Sequence, residues 1–482
     1  MPDTVSLKHK TISGTFWQLL QKGSSQAVAF VVSVVLARLI PPEEFGIVAM
    51  ASIFMTVAGV LADSGLGTSL VQKKNIDEID KNTVFYFGLF LSICLYALLF
   101  FSAPLIANMY HNDYLIHIIR VTGLSLLFSS FGSVQSALVM RDMDFKKYFY
   151  ATLTSTIVSA VAGLLLAFNG YGVWALVLQG LIRAISGIAA LFFLVRWVPQ
   201  LKFSWNRLKK LYSFGLNLTA ASLIGTVCNE LRGFLIGLRF MPADLAFYNR
   251  GNGLPGLVND NVSGTISTVL FPAISQLQDD RDAIKRSMRR AIMTSSFFLA
   301  PLMMVLAATS KQIILLVYSE TWASAIPFMQ VLSLGYIFSN IGMANLQAIN
   351  AIGRSDITFK LEFIKKPIYL ALIFAGVMIN PLAIAVGYSV YTVIGSAINA
   401  VPNKKLIRYS YTEQIADLLP QLVLSAAVAA VAWLIGRIEG NILLILAAQW
   451  GTSAILYLGI AKVLHFESFT YVYNTLCEYT NR

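Results

Sequence analysis

The chain has 482 residues, of which 57% are hydrophobic and only 12% charged, against about 25% charged in soluble domains. Mean hydropathy is +0.68, which argues against a water-soluble enzyme and excludes a disordered chain or a collagen-like fibre. The 36 Lys and Arg exceed the 24 Asp and Glu by 12, and in a membrane protein such a surplus sets orientation rather than marking nucleic acid.

Residues 1–14 read as a short polar lead. The apolar run behind them is too long for the h-region of a cleavable signal. Windows of about 20 mostly apolar residues, enough to cross a bilayer, then recur about fourteen times. The first six run at roughly 15–39, 45–66, 84–107, 116–139, 148–168 and 173–198. Segment 199–212, at the midpoint, reads as a basic amphipathic stretch on the membrane surface. Six more windows fall at roughly 213–238, 254–275, 291–318, 324–350, 357–379 and 382–402, and a last pair at roughly 415–436 and 442–464. The eighth is the weakest, because Asn259, Asp260 and Asn261 interrupt it. The loops between windows are too short for a soluble catalytic domain.

The loops alternate in charge. One set carries about 24 of the 36 Lys and Arg, including Lys73, Lys74, Arg141, Arg207, Arg289, Lys404, Lys8, Lys10 and Arg482. The other carries about five, Arg38, Arg239, Arg250, Lys311 and Arg437, and about seven lie inside the spans. The positive-inside rule puts the rich set, and both termini, in the cytoplasm. Cytoplasmic termini require an even number of spans, in agreement with the count.

The two halves resemble each other. After the first span come Arg38, Pro41 and Glu43, and after the seventh come Arg239, Pro242 and Asp244. The offset is about 201 each time, the signature of a parallel six-plus-six transporter repeat with substrate between the halves. The expected fold is therefore an all-α polytopic membrane protein of about 14 transmembrane helices. Its parts are a six-helix bundle (1–200), an amphipathic linker (201–212), a second six-helix bundle (213–405), and two additional helices with a tail (406–482).

Four stretches, TISGTFWQLLQKGSSQ from residue 11, ARLIPPEEFGIVAMA from 37, DSGLGTSLVQKKNIDEID from 63 and FPAISQLQDDRDAIKRSMRRA from 271, resemble the Wzx-type polysaccharide exporter (flippase) family. That family lies within the multidrug/oligosaccharidyl-lipid/polysaccharide flippase superfamily. The likeness runs over nearly the whole chain and is greatest to the colanic acid and teichuronic acid exporter branch. It implies a V-shaped pair of six-helix bundles with two peripheral helices, in the inner membrane of a bacterium. It also implies a transporter, not an enzyme, that moves undecaprenyl-diphosphate-linked oligosaccharide from the cytoplasmic to the outer leaflet by alternating access. The product would be capsule, O-antigen or exopolysaccharide. A polysaccharide polymerase and chain-length machinery are the implied partners, and the basic cytoplasmic run from Arg281 to Arg290 is suited to anionic lipid headgroups.

Ionisable residues inside spans bear most on that task, since each costs about 2.5–3.5 kcal/mol at a helix centre and therefore seeks water or a partner. The cations are Lys22, Arg120, Arg183, Arg232, Lys360, Lys365 and Lys366, and the anions Asp63, Glu230, Asp260 and Glu362. A diphosphate crossing the bilayer exchanges hydration for fixed positive charge, which Lys and Arg supply. Lys22, Arg120, Arg183, Arg232 and Arg250 are thus candidate diphosphate or glycan ligands. The competing readings are snorkelling for Lys22, interfacial anchoring for Arg120, an ion pair for Arg232 and a solvated loop for Arg250. Glu230, Asp63 and Asp260 are candidate ion-coupling carboxylates, with caps or polar packing as the alternative for the two Asp. Glu362 can pair with Lys365 or Lys366 next to Pro367, as a structural ion pair or a hinge. Glycines scattered through the spans, Gly59 among them, are read as points of close helix approach.

Cys94, Cys228 and Cys477 suggest no disulfide, the four histidines form no metal cluster, and no Walker A sequence occurs. No cofactor is expected, and the motive force would be a proton or sodium gradient or downstream consumption. Two other classes stay open: a multidrug or cation antiporter of the same superfamily, which would want carboxylates in its cavity, and a polytopic glycan-processing enzyme, which would want a large outer loop.

Overall fold

The structure is a computed structural model and describes residues 4–277 and 280–480. Arg482 lies outside the described residues, as do the side chains of Lys8 and Lys10. Every regular element among the described residues is helical. The chain forms two compact units, Met1–Ala246 and Phe247–Arg482.

The first unit holds α1 (Thr4–Leu39), α2 (Pro42–Asp63), α3 (Leu66–Gln72), α4 (Glu78–Met109), α5 (Tyr114–Asp142), α6 (Phe145–Phe168), α7 (Val173–Val195) and α8 (Trp205–Arg239). The division falls inside α9 (Pro242–Ser275). The second unit continues with α10 (Arg281–Ala308), α11 (Ser310–Val317), α12 (Ile326–Tyr336), α13 (Ser339–Ala351), α14 (Ser355–Val377), α15 (Pro381–Leu406), α16 (Tyr411–Ile435), α17 (Ile442–Val463) and α18 (Glu467–Thr480).

Among the described residues, eleven helical segments are long and apolar enough to cross a membrane. Three of the fourteen expected windows, 213–238, 254–275 and 357–379, are instead served by α8, α9 and α14, which fall short of that apolarity. The reason is physical: these three helices carry Glu230, Arg232, Arg250, Asp260, Lys360, Glu362, Lys365 and Lys366. The polar lead is not a separate segment, because α1 already begins at Thr4. Likewise residues 205–212 of the amphipathic stretch are the first turns of α8, continuous with the rest of that helix.

The two repeated motifs fall on the same local structure. α1 ends at Leu39 and α2 starts at Pro42; α8 ends at Arg239 and α9 starts at Pro242. Proline suits a first helical turn because its missing N–H would have had no partner there. Asp244 accepts a hydrogen bond from the Met241 N–H at 3.1 Å, pinning the second break.

In the first unit α8 packs along α2 through glycines. A Cβ on Gly46 would lie 1.8 Å from the Pro242 carbonyl oxygen. Gly237 rests on Met50 and Tyr110, and Gly233 on Ile53. At the far end Gly65, with φ +62°, abuts the backbone of Gly215, a conformation and an approach that glycine alone accepts without strain. Ser69 Oγ donates to the Leu211 carbonyl oxygen at 3.0 Å beside it.

The same end of α8 is held by charge. Asp77 and Asp80 form a capping box at the start of α4. Asp80 is fully buried and pairs with Lys73 and, at 3.4 Å, with Arg207. Arg207 also reaches Asp77 at 3.1 Å, and the Asp80 N–H bond with the Arg207 charge holds the Asp77 carboxyl below its ordinary range. Arg141 donates to the carbonyls of Leu70 and Lys74 at 2.9 and 2.7 Å, satisfying the open end of α3. Asp80→Ala removes a cap and the partner of two cations, each interaction contributing about 1–2 kcal/mol. Its melting temperature in detergent should fall well below that of an exposed control, Asp142→Ala.

The second unit is joined by buried amides. Asn345 donates to Gln414 Oε1 at 2.8 Å, Gln414 donates back to Asn345 Oδ1 at 3.1 Å, and Asn403 donates to the same oxygen at 2.7 Å. Interhelical hydrogen bonds of this kind contribute about 0.6–2 kcal/mol each within a bilayer. They tie α13, α15 and α16 beside the apolar cluster of Ile284, Met288, Ile292 and Ile341. Arg289 bridges Asp417 and Glu467 at 3.0 and 2.8 Å, fastening α18 to α10 and α16.

Candidate functional site

Five helices of the first unit turn one face each towards a shared cavity of about 690 Å³. α2 contributes Gly59, Ala62 and Asp63, and Gly67 and Thr68 follow on α3. α5 contributes Ser129, Ser130, Ser133 and Ser136; α6 contributes Tyr148, Thr152 and Ser155; α7 contributes Gly180, Arg183, Ala184 and Gly187. Steps of three and four residues place these side chains on one stripe of each helix. Small side chains on facing helices would ordinarily bring the backbones together. Here they border open space instead, for a Cβ on Gly59 or Gly180 would meet nothing within 4 Å. Gly59 is therefore not the point of close approach expected from the sequence.

The cavity has one cation and one anion among its lining residues, Arg183 and Asp63. Asp63 closes α2, and the chain turns sharply behind it through Ser64 and Gly65, both with positive φ. Both charged side chains are exposed to the open volume, and neither forms a salt bridge among the described residues. Several of the serines donate to their own helix, Ser129 to the Ser125 carbonyl at 2.8 Å and Ser130 to that of Leu127 at 2.7 Å. Their oxygens remain available as acceptors.

The other charged residues lie elsewhere. Lys22 is exposed on α1 beside Gln18 and Gln26, and does not line the cavity. Arg120 sits on α5 with its guanidinium 4.2 Å from the Phe100 ring centroid and its Nε 3.4 Å from the Phe100 carbonyl oxygen. Arg232 is half-buried on α8. Glu230 lines a separate groove of about 570 Å³ between α2, α4 and α8 whose walls are otherwise almost wholly apolar, with Phe54, Leu61, Leu98 and Phe234 among them.

In the second unit Arg250 lies between two rings, 5.2 Å from the Tyr318 centroid and 5.3 Å from that of Trp322. Asp260 is exposed and accepts from Asn259 at 3.1 Å. On α14, Glu362 pairs with Lys365, which is only 5% exposed, and reaches Lys366 at 3.8 Å; Pro367 follows within the helix. No group of three or more His, Cys, Asp or Glu among the described residues is placed to hold a metal ion.

The hydroxyl wall was not anticipated from the sequence. Its signal was present in segment 125–136, where serines recur at 125, 129, 130, 133 and 136. Serine in a membrane helix reads as neutral unless its neighbours are known to leave room.

A family model described as "Polysaccharide biosynthesis protein" matches residues 35–327, more than half of the chain. The chain belongs to this family. Members similar to it include the Lipopolysaccharide biosynthesis protein WzxC of Escherichia coli K12, 25% identical over 89% of each chain. The Teichuronic acid biosynthesis protein TuaB of Bacillus subtilis 168 is 22% identical, again over 89% of each. The Succinoglycan biosynthesis transport protein ExoT of Rhizobium meliloti is 26% identical over 69% of this chain and 67% of its own. These relatives bear out the resemblance to Wzx-type exporters, the teichuronic acid branch included. Among solved structures, the lipid II flippase MurJ in an inward closed conformation superposes with a TM-score of 0.75 at 15% identity, covering 94% of this chain and 99% of its own. An inward-facing multidrug resistance MATE family transporter reaches 0.63 at 15% identity, over 80% and 96%. The chain thus shares a helical fold with a lipid II flippase and a MATE family transporter.

Proposed function

We propose that this chain is a flippase that carries undecaprenyl-diphosphate-linked oligosaccharide repeat units from the cytoplasmic to the outer leaflet of a bacterial inner membrane, by alternating access. The observation that carries the reading is the Arg183 cavity, a chamber with a fixed cation and a row of hydroxyls in its otherwise apolar wall, within a bundle of membrane helices. Binding sites at mid-bundle, lined by groups too polar for lipid, are the mark of a transport path. The family membership and the relatives named for polysaccharide biosynthesis support the same reading.

On this proposal α8, α9 and α14 also cross the membrane, giving fourteen spans with both termini in the cytoplasm. Their polarity reflects the substrate path rather than an interfacial position. The six-plus-six repeat would run over residues 1–200 and 213–405, with 406–482 peripheral. Lys22, Arg120, Arg232 and Arg250 supply further positive charge for the diphosphate. Glu230, Asp63 and Asp260 are the carboxylates through which a proton or sodium gradient would couple, and Pro367 beside the Glu362–Lys365 pair is a candidate hinge. Anionic lipids, and the polymerase and chain-length proteins that use the flipped product, are the expected partners.

A cation antiporter shares the fold, but within the spans cations outnumber anions by about seven to four. A cationic substrate wants the opposite balance. Deleting the gene should trap lipid-linked repeat units on the cytoplasmic face, read by protease- and lectin-accessibility of vesicles of known sidedness. Normal outward delivery in a strain without a redundant flippase would refute the reading.

A further inference from the structure

We infer that a second cavity, between the N-terminal halves of α10 and α18, binds the phosphodiester headgroup of an anionic phospholipid; this does not depend on what the chain transports. Two helix stripes build it. Arg290 and Thr294 follow one face of α10, and Glu467, Tyr471 and Asn474 follow one face of α18, at steps of three and four residues. His465, with φ +51°, turns the chain from α17 into α18 and completes the wall. Together they enclose about 460 Å³, within the usual range of about 300–1,000 Å³ for small-molecule sites. The cavity belongs to the second unit alone and shares no residue with the Arg183 cavity.

Its wall is rich in uncommitted donors. The side chains of Arg290, Thr294, His465, Tyr471 and Asn474 make no hydrogen bond or ion pair among the described residues. The Arg290 guanidinium lies over the Tyr471 ring, 5.0 Å from its centroid, which leaves its N–H edge open to an acceptor. The remaining polar groups are engaged. Ser468 accepts from Gln421 at 2.8 Å, and Thr470 donates to the Phe466 carbonyl at 3.2 Å. Glu467 accepts two bonds from Arg289, at 3.0 and 2.8 Å, so its charge is already answered. Such a wall calls for a negative charge and for acceptors. A phosphodiester brings both, because its oxygens accept and none donates at neutral pH. The rim says where that phosphate comes from. Val463 and Leu464, next to His465, are exposed at the end of α17, a candidate membrane span. Tyr471 and Tyr473 are exposed on α18, as aromatic residues at headgroup level are. The cavity therefore opens beside hydrocarbon, where basic pockets take lipid headgroups. A zwitterionic lipid fits less well, since its ammonium would find Glu467 already committed to Arg289.

The test uses the full-length protein in nanodiscs of phosphatidylcholine, with and without a minor fraction of phosphatidylglycerol. Lipid retained after transfer to detergent is counted by native mass spectrometry, and melting is followed in the discs. Wild type should retain phosphatidylglycerol in preference to phosphatidylcholine and melt higher when it is present. Arg290→Gln alters an exposed side chain without an ion pair, so it should fold normally and bind phosphatidylglycerol about tenfold more weakly. Arg286→Gln removes a charge from the same basic run but outside the cavity, and should retain the lipid as wild type does. Thr294→Val removes one hydroxyl and no charge, and should weaken retention severalfold. Absence of any preference in wild type overturns the proposal. So do equal losses in Arg286→Gln and Arg290→Gln, or wild-type retention by Thr294→Val, since either result means diffuse surface charge rather than a built site. Inorganic phosphate or glycerol phosphate that raises melting in pure phosphatidylcholine discs as much as phosphatidylglycerol does would make the ligand a soluble phosphate and overturn the lipid assignment.

Discussion

In a strain lacking its own copy, Arg183→Ala should reach the membrane at normal level and fail to restore surface polysaccharide, with lipid-linked repeat units accumulating as in the deletion. Arg183 is the cation that lines the cavity, and it forms no salt bridge among the described residues. Its removal breaks no fold-holding contact, so the stability change should stay within about 0.5 kcal/mol. The ligand, by contrast, loses charge-assisted hydrogen bonds of about 1.5–3 kcal/mol, a factor of about 10–150 in affinity. Arg183→Lys keeps the charge but not the planar fork of donors. It should recover only part of the export, measured as surface polysaccharide per unit of membrane protein. Full export by Arg183→Ala would remove this cavity from the transport path.

The second large effect falls on stability. Gly46→Ala places a methyl group 1.8 Å from the Pro242 carbonyl oxygen, where backbone rather than a mobile side chain must yield. Overpacking of this kind costs about 1–3 kcal/mol, so the melting temperature of the purified protein should drop by several degrees and expression should fall. Gly180→Ala is the matched control. It adds the same methyl to open space, and its melting temperature should equal that of wild type. Equal melting of both variants would show that the α2–α9 junction opens freely.

Much of the fold was legible because apolar windows in a membrane chain map directly onto helices. The helix break after Arg38 and its copy after Arg239 were visible in the same way, through prolines that begin a helix. α8, α9 and α14 were expected as spans from their length despite their charges, and it is those charges that set them apart from the eleven more apolar segments. The site was only half legible. Arg183 and Asp63 stood out as ions in apolar surroundings, yet nothing in the sequence joined them. Their meeting depends on α2 ending at Asp63 and on the face that α7 presents. Charge alone also grouped Arg250 with them, whereas it packs between Tyr318 and Trp322. The serines of α5 were invisible because back-bonded hydroxyls on a packed helix and on a cavity wall have the same sequence.

The glycine seam between α2 and α8 also bears on how the chain is made. On the fourteen-span reading α8 must enter the bilayer carrying Glu230 and Arg232, and a translocon scale charges a residue such as Arg about 2.5–3.5 kcal/mol at a helix centre. Such a helix partitions poorly alone. It needs a receiving surface already in place, and Gly233 and Gly237 fit it to Ile53 and Met50 of a helix synthesised long before it. α2 would then act as an intramolecular insertion partner, and a side chain added along the seam would be felt first in biogenesis, as a helix left outside the membrane and a chain sent to the proteases.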